Sequence, residues 1–311
     1  MIQLEKLSSP VVKKLVEEYR KRKIIYQTKA IYFCDVDGKD IYNISCPLMW
    51  QGKEYILGRI ESRNSEISQV GIFELTGELE YHKLISTIPL LQDPFYSFID
   101  NQLFIGGTEI YLNQNDKIIS WATSFYVTSD LKKITRVLVA PNKMKDVRIF
   151  NDKEIHVFTR PQGGLAKLGR IGHLTINNLS EFSQDLLTNA ELLNNQFDEY
   201  SWGGVNQVLK LKNGLLGILG HIACMSKGNV RHYFGMTFTY NPKTKEHLNM
   251  KIICERSDFV KGEAKRPDLH DVVFPGGIVR KDDEKAILYA GLSDVSSAIL
   301  KIDDPFIEYE K

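Results

Sequence analysis

The sequence has few cysteines and no long apolar run. Its four cysteines, Cys34, Cys46, Cys224 and Cys254, show no CxxC spacing, so the pattern predicts neither a zinc site nor a disulfide framework. No apolar run approaches the roughly 20 residues that span a bilayer, and the charged N-terminal segment lacks the apolar centre of a signal peptide. We therefore expect a reducing, cytoplasmic setting, with no metal and no membrane partner.

The chain also lacks an excess of charge of either sign. Its 40 Lys and Arg residues against 39 Asp and Glu residues give a net charge of +1, so no overall field favours nucleic acid or an anionic surface. Hydrophobic residues make up 43% and charged residues 25% of the 311 residues, proportions typical of a soluble globular protein. A chain of this length can bury a large core, as one large domain or two ordinary ones.

Helical signals are confined to the N-terminal segment. Ser9 is a favourable N-cap and Pro10 fits the first helical position, so the sequence predicts a helix over 8–23. An apolar stripe at helical spacing is formed by Val11, Leu15 and Tyr19. The remainder consists of short segments rich in Val, Ile, Tyr, Phe and Thr between turn residues, which is the pattern of an all-β chain.

One arrangement recurs along the chain at intervals of roughly 50 to 70 residues. A polar residue precedes a strand, a turn and an apolar strand, and the unit ends on Gly, Arg or His. In one unit Asp93 precedes the strand from Phe95, the pair Asp100-Asn101 supplies the turn, and Gly107 ends the returning strand. The residues that begin the units are Asn43, Asp93, Asp146, Asn206 and the His270-Asp271 pair.

Five such units predict an all-β fold, a five-bladed β-propeller with one N-terminal helix outside it. Each unit is long enough for four strands, as a propeller blade requires. We expect a single domain over 1–311, with blades that start near residues 41, 91, 144, 203 and 270. A closed ring of blades would gather the leading polar residues at one end of a central channel. The alternative is that these residues simply occupy turns, where Asp and Asn are common.

The motifs resemble those of the five-bladed β-propeller glycosidases, above all glycoside hydrolase family 130 or an uncharacterised branch beside it. Gln92-Asp93-Pro94-Phe95 is similar to the family's Glu-Asp-Pro-Arg motif. Over residues 40–300 the other similar segments are Tyr42-Asn43 with 58–63, Lys145-Asp146 with Arg160-Pro161, Trp202 with Gly220-His221, Tyr233-Phe234-Gly235, and 274–277 with 289–294. The resemblance implies a propeller fold and action on β-mannosides, as a phosphorylase or a hydrolase.

Three positions depart from the family pattern. Ile44 follows Asn43 where the family has proline, and Gln92 replaces an acid. Phe95 stands where the family has an arginine that helps to hold phosphate or sugar. These changes bear on phosphorylase chemistry more than on the fold.

Asp93 is the first candidate for a catalytic residue. Glycoside cleavage needs a carboxyl that protonates the leaving oxygen, and Asp93 matches the proton donor of the family motif. Pro94 stiffens the backbone and favours an extended conformation of Asp93. Asp146 is the second catalytic candidate, because it could orient sugar hydroxyls or tune Asp93. Alternatively, Asp93 caps a turn, and Asp146 pairs structurally with Lys145 or Arg148.

Basic residues form a candidate anion site. Phosphate binding needs several fixed donors, and residues at matching positions of the resembling family hold the attacking phosphate. The candidates for phosphate binding are Arg59, Lys145, Arg160 and His221. They could instead balance the acids of the channel.

The remaining candidates would contact the sugar. They are Asn43, Glu61, Arg63, Trp202, Asn206, Asp271 and Asp294. Glu61 and Arg63 share the strand face of Arg59, where they either bind sugar or pair with each other. Trp202 either stacks on a sugar ring or belongs to the core.

Together these residues favour a carbohydrate-active enzyme that cleaves a glycosidic bond in a short oligosaccharide, with mannose as the first candidate sugar. Water or inorganic phosphate would be the nucleophile, and no cofactor is expected. The alternative is a non-catalytic sugar-binding propeller that has lost activity, which the changes at Gln92 and Phe95 favour. A protein-interaction scaffold is a weaker hypothesis, because the polar residues concentrate at the blade starts. The sequence leaves the oligomeric state open.

Overall fold

The computed structural model describes residues 2–76 and 81–310, and most of its regular structure is β-strand. Strands β1 to β6 are Ile25–Cys34, Asp40–Tyr42, Leu48–Trp50, Lys53–Glu61, Ser68–Leu75 and Tyr81–Pro89. Strands β7 to β10 are Leu91–Ile99, Gln102–Leu112, Ile118–Thr128 and Ile134–Val139. Strands β11 to β14 are Arg148–Asn151, Ile155–Thr159, Gly172–Ile176 and Glu191–Leu192. Strands β15 to β21 are Ser201–Lys210, Leu216–Ser226, Val230–Asn241, Glu246–Cys254, Asp271–Arg280, Lys285–Leu292 and Ser296–Asp303.

Most strand pairs are antiparallel. Strands β7 to β10 form one four-stranded sheet and β11 to β14 another, each paired in sequence order. The other strands form a 13-stranded sheet, in which two parallel contacts, β17 with β19 and β1 with β6, join antiparallel groups. Strand β1 also pairs with β21, which brings the two ends of the chain together. The predicted all-β class is confirmed.

The predicted N-terminal helix is present. Helix α1 (Pro10–Arg22) has Ser9 as its N-cap, and the Ser9 hydroxyl accepts a hydrogen bond from the Val12 N–H at 3.1 Å. A short second helix, α2 (Gln184–Thr188), is capped by Ser183. The expectation of a single helix is therefore incomplete, because a helix of 5 residues is too short to show a period in the sequence. No helix of the described residues is both long and apolar enough to cross a membrane.

The buried face of α1 coincides only in part with the predicted stripe. Val12, Val16 and Tyr19 are buried, whereas Val11 is exposed and Leu15 is half-buried. The predicted stripe used two steps of four residues. Steps of four and then three, as in the observed face, follow a helix of 3.6 residues per turn more closely. This face packs into an apolar cluster with strands β16 and β17.

The apolar core lies between neighbouring strand groups. Phe95 and Phe125 of the β7–β10 sheet pack in one cluster with Ile149 and Val157 of the next sheet. The Gly106 backbone approaches the Phe95 ring so closely that a Cβ at this position would lie 2.1 Å from its Cζ. This close approach fixes the packing of β7 against β8.

Candidate active site

A pocket of about 210 Å³ gathers residues from several strand groups, and we call it the Asp93 pocket. It is lined by Asn43, Arg59, Glu66, Gln92, Asp93, Lys145, Arg231, Tyr233, Arg266, Leu269, Val272, Phe274 and Asp294. The lining thus combines carboxylates with cationic side chains. Of the residues predicted from the sequence, it contains Asn43, Arg59, Asp93, Lys145 and Asp294.

Two donors hold the carboxylate of Asp93. Asn43 Nδ2 donates to Asp93 Oδ1 at 2.7 Å, and Arg59 Nη1 donates to the same oxygen at 3.2 Å. Both hydrogen bonds fall on Oδ1. The other oxygen, Oδ2, accepts no hydrogen bond from the described residues, so it is available to a ligand in the pocket.

The backbone of Asp93 is not extended, so the expectation drawn from Pro94 is wrong. Its φ is 50°, in the left-handed region that Asp and Asn adopt more readily than other side chains. The pairing of β7 with β8 shifts register between Gln92 and Phe95. A register shift of this kind changes the direction in which a side chain points. Asp93 lies at the shift, and it lines the pocket.

Asp294 is a further acid of the pocket, and it is half-buried. Burial raises the pKa of Asp294 from its ordinary value of 3.8 to about 6; the charge of Asp93 adds to this effect and that of Arg59 opposes it. A carboxyl with this pKa keeps its proton in about half of the molecules near pH 6. Buried titratable groups with such shifts are typical of catalytic sites.

Glu61 supports Arg59 from within the wall. Arg59 Nε and Nη2 donate to Glu61 Oε2 at 3.1 and 2.5 Å, and the Tyr42 hydroxyl donates to Oε1 at 2.6 Å. Lys265 also pairs with Glu61. Burial by itself would lower the pKa of Arg59, but Asp93 and the other nearby acids raise it. Glu61 is only 1% exposed, so it orients Arg59 and does not line the pocket.

A buried polar cluster, which we call the Asp146 cluster, consists of Asp146, Arg160, Asn206 and His221. Asp146 Oδ2 lies 3.6 Å from Arg160 Nε and 4.0 Å from His221 Nε2, and Asn206 Oδ1 lies 2.8 Å from His221 Nδ1. Burial lowers the pKa of His221 to about 3 although Asp146 opposes this, so the imidazole is neutral. Burial would raise the pKa of Asp146, but the nearby cations, Arg160 foremost, together outweigh it and keep this pKa below the usual range.

The structure divides the predicted phosphate ligands into two places. Arg59 and Lys145 line the Asp93 pocket, whereas Arg160 and His221 are buried in the Asp146 cluster. The His221 ring stacks on the ring of Tyr233 at a centroid distance of 5.7 Å. Because Tyr233 lines the pocket, the Asp146 cluster lies directly behind the pocket wall.

Arg63 lies at the surface and outside the lining of the pocket. It pairs with Asp40 at 2.6 Å and with Glu263 at 2.8 Å. Strand β4 ends at Glu61, so the alternation that links Arg59 to Glu61 does not extend to Arg63.

Trp202 and Asp271 also lie outside the lining. Trp202 is buried and donates its Nε1–H to the Tyr233 hydroxyl at 3.0 Å. Asp271 Oδ2 lies 2.6 Å from His232 Nδ1, across the parallel contact between β17 and β19. Both residues therefore support β17, the strand that carries Tyr233.

The rim of the pocket includes residues that sequence reasoning did not identify. Arg231 pairs with Asp268, and Arg266 pairs with both Asp268 and Glu66. Arg231 lies two positions before Tyr233, so the two residues share a strand face. This two-residue period is the sequence signal that could have identified Arg231. Arg266 and Glu66 lie in loops between strands, where no period indicates which side chains meet.

The Asp93 pocket is suited to an anion. Its Asp93 and Glu66 carboxylates are each held by arginine, whereas Lys145 forms no ion pair with any carboxylate of the described residues. Among these residues, no group of three or more His, Cys, Asp or Glu side chains is placed to hold a metal ion. Lys145 is therefore the cation of the pocket that a bound anion could engage without breaking an existing pair.

Comparison with solved structures identifies relatives over almost the whole chain. MPT-4, a mannose phosphorylase from Leishmania mexicana solved in complex with phosphate ion, shares 31% sequence identity; the match covers 98% of this chain and 96% of that chain, with a TM-score of 0.89. MPT-1, a GDP-Man-dependent mannosyltransferase from the same organism, shares 26% identity over 96% of this chain and 95% of that chain, with a TM-score of 0.86.

A more distant similarity shows the fold alone. The β-1,2-mannobiose phosphorylase from Listeria innocua has 15% identity and a TM-score of 0.63, with 99% of this chain and 98% of that chain covered. None of the curated proteins matches this chain. The resemblance to propeller enzymes of the glycoside hydrolase family 130 type is confirmed. Since residues 17–308 match the family described as "Protein of unknown function (DUF1861)", the chain belongs to that family.

Proposed function

We propose that this chain is a carbohydrate-active enzyme that transfers a mannosyl group from a short mannoside to inorganic phosphate. One observation carries the proposal: Asp93, with Oδ2 available, and Lys145, with no ion-pair partner among the described residues, line the same pocket. The phosphate-bound mannose phosphorylase among the relatives supports the choice of sugar and of nucleophile.

The residues of the pocket suit the two halves of this reaction. Asp93 Oδ2 donates a proton to the glycosidic oxygen while the bond from that oxygen to C1 breaks. A phosphate oxygen forms the new bond to C1, so the products are a sugar 1-phosphate and the remaining sugar with a free hydroxyl. Asn43 and Arg59 hold Asp93 in position. Lys145 offsets the negative charge of the phosphate as it approaches the two acids.

Asp294 is the second candidate for the proton donor. Its pKa of about 6 places a neutral carboxyl in the pocket under mildly acidic conditions, which a general acid requires. A variant of each acid separates the two assignments. The true donor, when replaced by asparagine, loses turnover with substrates that have a poor leaving group and keeps turnover with an activated aryl mannoside, which needs little protonation.

We also propose that the strands form five blades around one axis. A second pocket is lined by residues from β7, β11, β15 and β19 and from the Ser45-Cys46 segment after β2, as expected if five groups of strands face one channel. The hydrogen bonds between β1 and β21 would join the two ends of the chain within the last blade. A crystal structure with another number of blades would contradict this arrangement.

The reaction is tested by incubating the purified protein with β-linked mannobioses, with and without inorganic phosphate. We expect a mannose 1-phosphate signal by 31P NMR only when phosphate is present. Release of free mannose at the same rate in both mixtures would replace phosphorolysis by hydrolysis. Binding of mannobiose by calorimetry without any product would favour the non-catalytic sugar-binding protein.

Lys145→Met tests the phosphate site in the same assay. Because it removes the cation without an ion-pair partner, the KM for phosphate should rise about tenfold or more, with less change in the KM for mannobiose. Lys143→Met is the matched control, since Lys143 is exposed two positions away and does not line the pocket. Equal effects of the two substitutions would remove Lys145 from the phosphate site.

A further inference from the structure

A second pocket, of about 270 Å³, lies further along the strands that carry the active-site residues. Strand β7 contributes to both pockets. Gln92 and Asp93 line the Asp93 pocket, whereas residues 95–98 line this second pocket. Its wall also contains Arg148 and Phe150 of β11. We call it the Arg148 pocket, and no step of the proposed reaction uses it.

Arg148 is a buried cation without an anionic partner in this pocket. Its Nε donates to the Asn206 carbonyl at 3.0 Å and its Nη1 to the Val147 carbonyl at 3.2 Å. The guanidinium lies over the Phe95 ring, 3.8 Å from the centroid. No carboxylate of the described residues lies within the 4.0 Å that defines an ion pair with Arg148. Two of the five N–H donors are thus used, and Nη2 has no partner among the described residues.

This arrangement is costly unless an anion compensates it. Arg148 is only 4% exposed, and burial lowers the pKa of Arg148 to about 10, with Asp146 and Asp93 acting in the opposite direction. The side chain therefore remains a cation at neutral pH. A buried charge without a counter-ion is disfavoured.

The rest of the lining adds an apolar surface. Phe98 and Phe150 supply aromatic faces, and Phe98 is exposed to solvent at 42%. The pocket thus combines a forked cation, which matches a carboxylate, with rings that match an apolar group.

We propose that the Arg148 pocket binds a small organic monocarboxylate with an aromatic or short aliphatic group. The carboxylate accepts hydrogen bonds from the Arg148 guanidinium at Nη2, and the apolar group lies against Phe98 and Phe150. The proposed site does not depend on the reaction assigned to the Asp93 pocket; only the phosphate control below rests on the phosphate site proposed there.

The probe is benzoate, titrated into the full-length protein by calorimetry and by saturation-transfer NMR. Benzamide is the neutral control of the same shape. We expect benzoate to bind at least about tenfold more tightly than benzamide, because only the carboxylate forms a charge-assisted bond with Arg148. Saturating phosphate should leave benzoate binding unchanged, since phosphate is proposed to occupy the other pocket.

Two variants locate the site. Arg148→Met should weaken benzoate binding by about tenfold or more. Asn151→Trp, at a half-buried position of the lining, should block the pocket while Arg148 stays in place, and it decides the case if the first variant does not fold. Lys145→Met should leave the affinity unchanged.

Three results would overturn the proposal. The first is the absence of benzoate binding to the unmodified protein. The second is equal binding of benzoate and benzamide. The third is loss of benzoate binding on addition of phosphate or in Lys145→Met, either of which would move the ligand to the Asp93 pocket.

Discussion

The substitution Asp294→Asn should stabilise this protein at neutral pH. Asp294 has a pKa of about 6 in the folded chain against an ordinary 3.8, so the folded state holds this proton more tightly than the unfolded state. Stability is therefore present at low pH and is lost as pH rises from about 4 to 6. Asparagine is neutral at every pH, and it also tolerates the φ of 55° at this position. The Asp294→Asn variant should therefore keep its folding stability as the pH rises through this range.

The magnitude follows from the two pKa values. At about 1.4 kcal/mol per pH unit, the charged carboxylate costs the fold about 3 kcal/mol above pH 7 and about 1 kcal/mol at pH 4.5. Asp294→Asn should thus raise the free energy of unfolding by about 2–3 kcal/mol at pH 7.5 and by about 1 kcal/mol at pH 4.5. The gain must grow with pH, because only the ionised form is penalised.

Urea denaturation, followed by tryptophan fluorescence and by circular dichroism at a series of pH values, measures this difference. Coincidence of the two signals checks that unfolding is two-state. Asp282→Asn, in an exposed turn, is the control and should change the free energy of unfolding by less than about 0.5 kcal/mol at each pH. A gain for Asp294→Asn that is absent, or equal at pH 4.5 and 7.5, would refute the reasoning about burial and charge.

Three further predictions concern single side chains. Asp93→Asn should lower kcat on mannobiose by about 10²-fold or more with an unchanged circular dichroism spectrum; full activity would exclude Asp93 as the proton donor. Ser9→Ala should cost about 1 kcal/mol of stability in urea denaturation, because the helix loses its cap, whereas Ser8→Ala, at an exposed position, should cost little. Gly106→Ala should destabilise by roughly 1–3 kcal/mol through its clash with the Phe95 ring. Phe95→Leu in the same chain should recover part of that loss, and simple addition of the two effects would contradict the contact.

Local features could be predicted from the sequence because a few neighbouring residues determine them. Helix α1 begins at Pro10 since Ser9 satisfies a free backbone N–H of its first turn. The alternation of apolar segments and turns indicated the all-β class for the same reason. The order of Asn43, Arg59, Asp93, Lys145 and Asp294 along the repeats also pointed to one site, and all of them line the Asp93 pocket.

Other features were decided only by the tertiary structure. Arg160 and His221 have the same phase in the repeat as Arg59, yet they are buried with Asp146 behind the pocket wall. A two-residue period assigns a side chain to a face of a strand but does not say which side chains of neighbouring sheets come within hydrogen-bond distance. The raised pKa of Asp294 likewise depends on burial and on a charge distant in sequence. Sequence periodicity thus indicated which residues share a strand face, and packing between sheets determined which of them share a site.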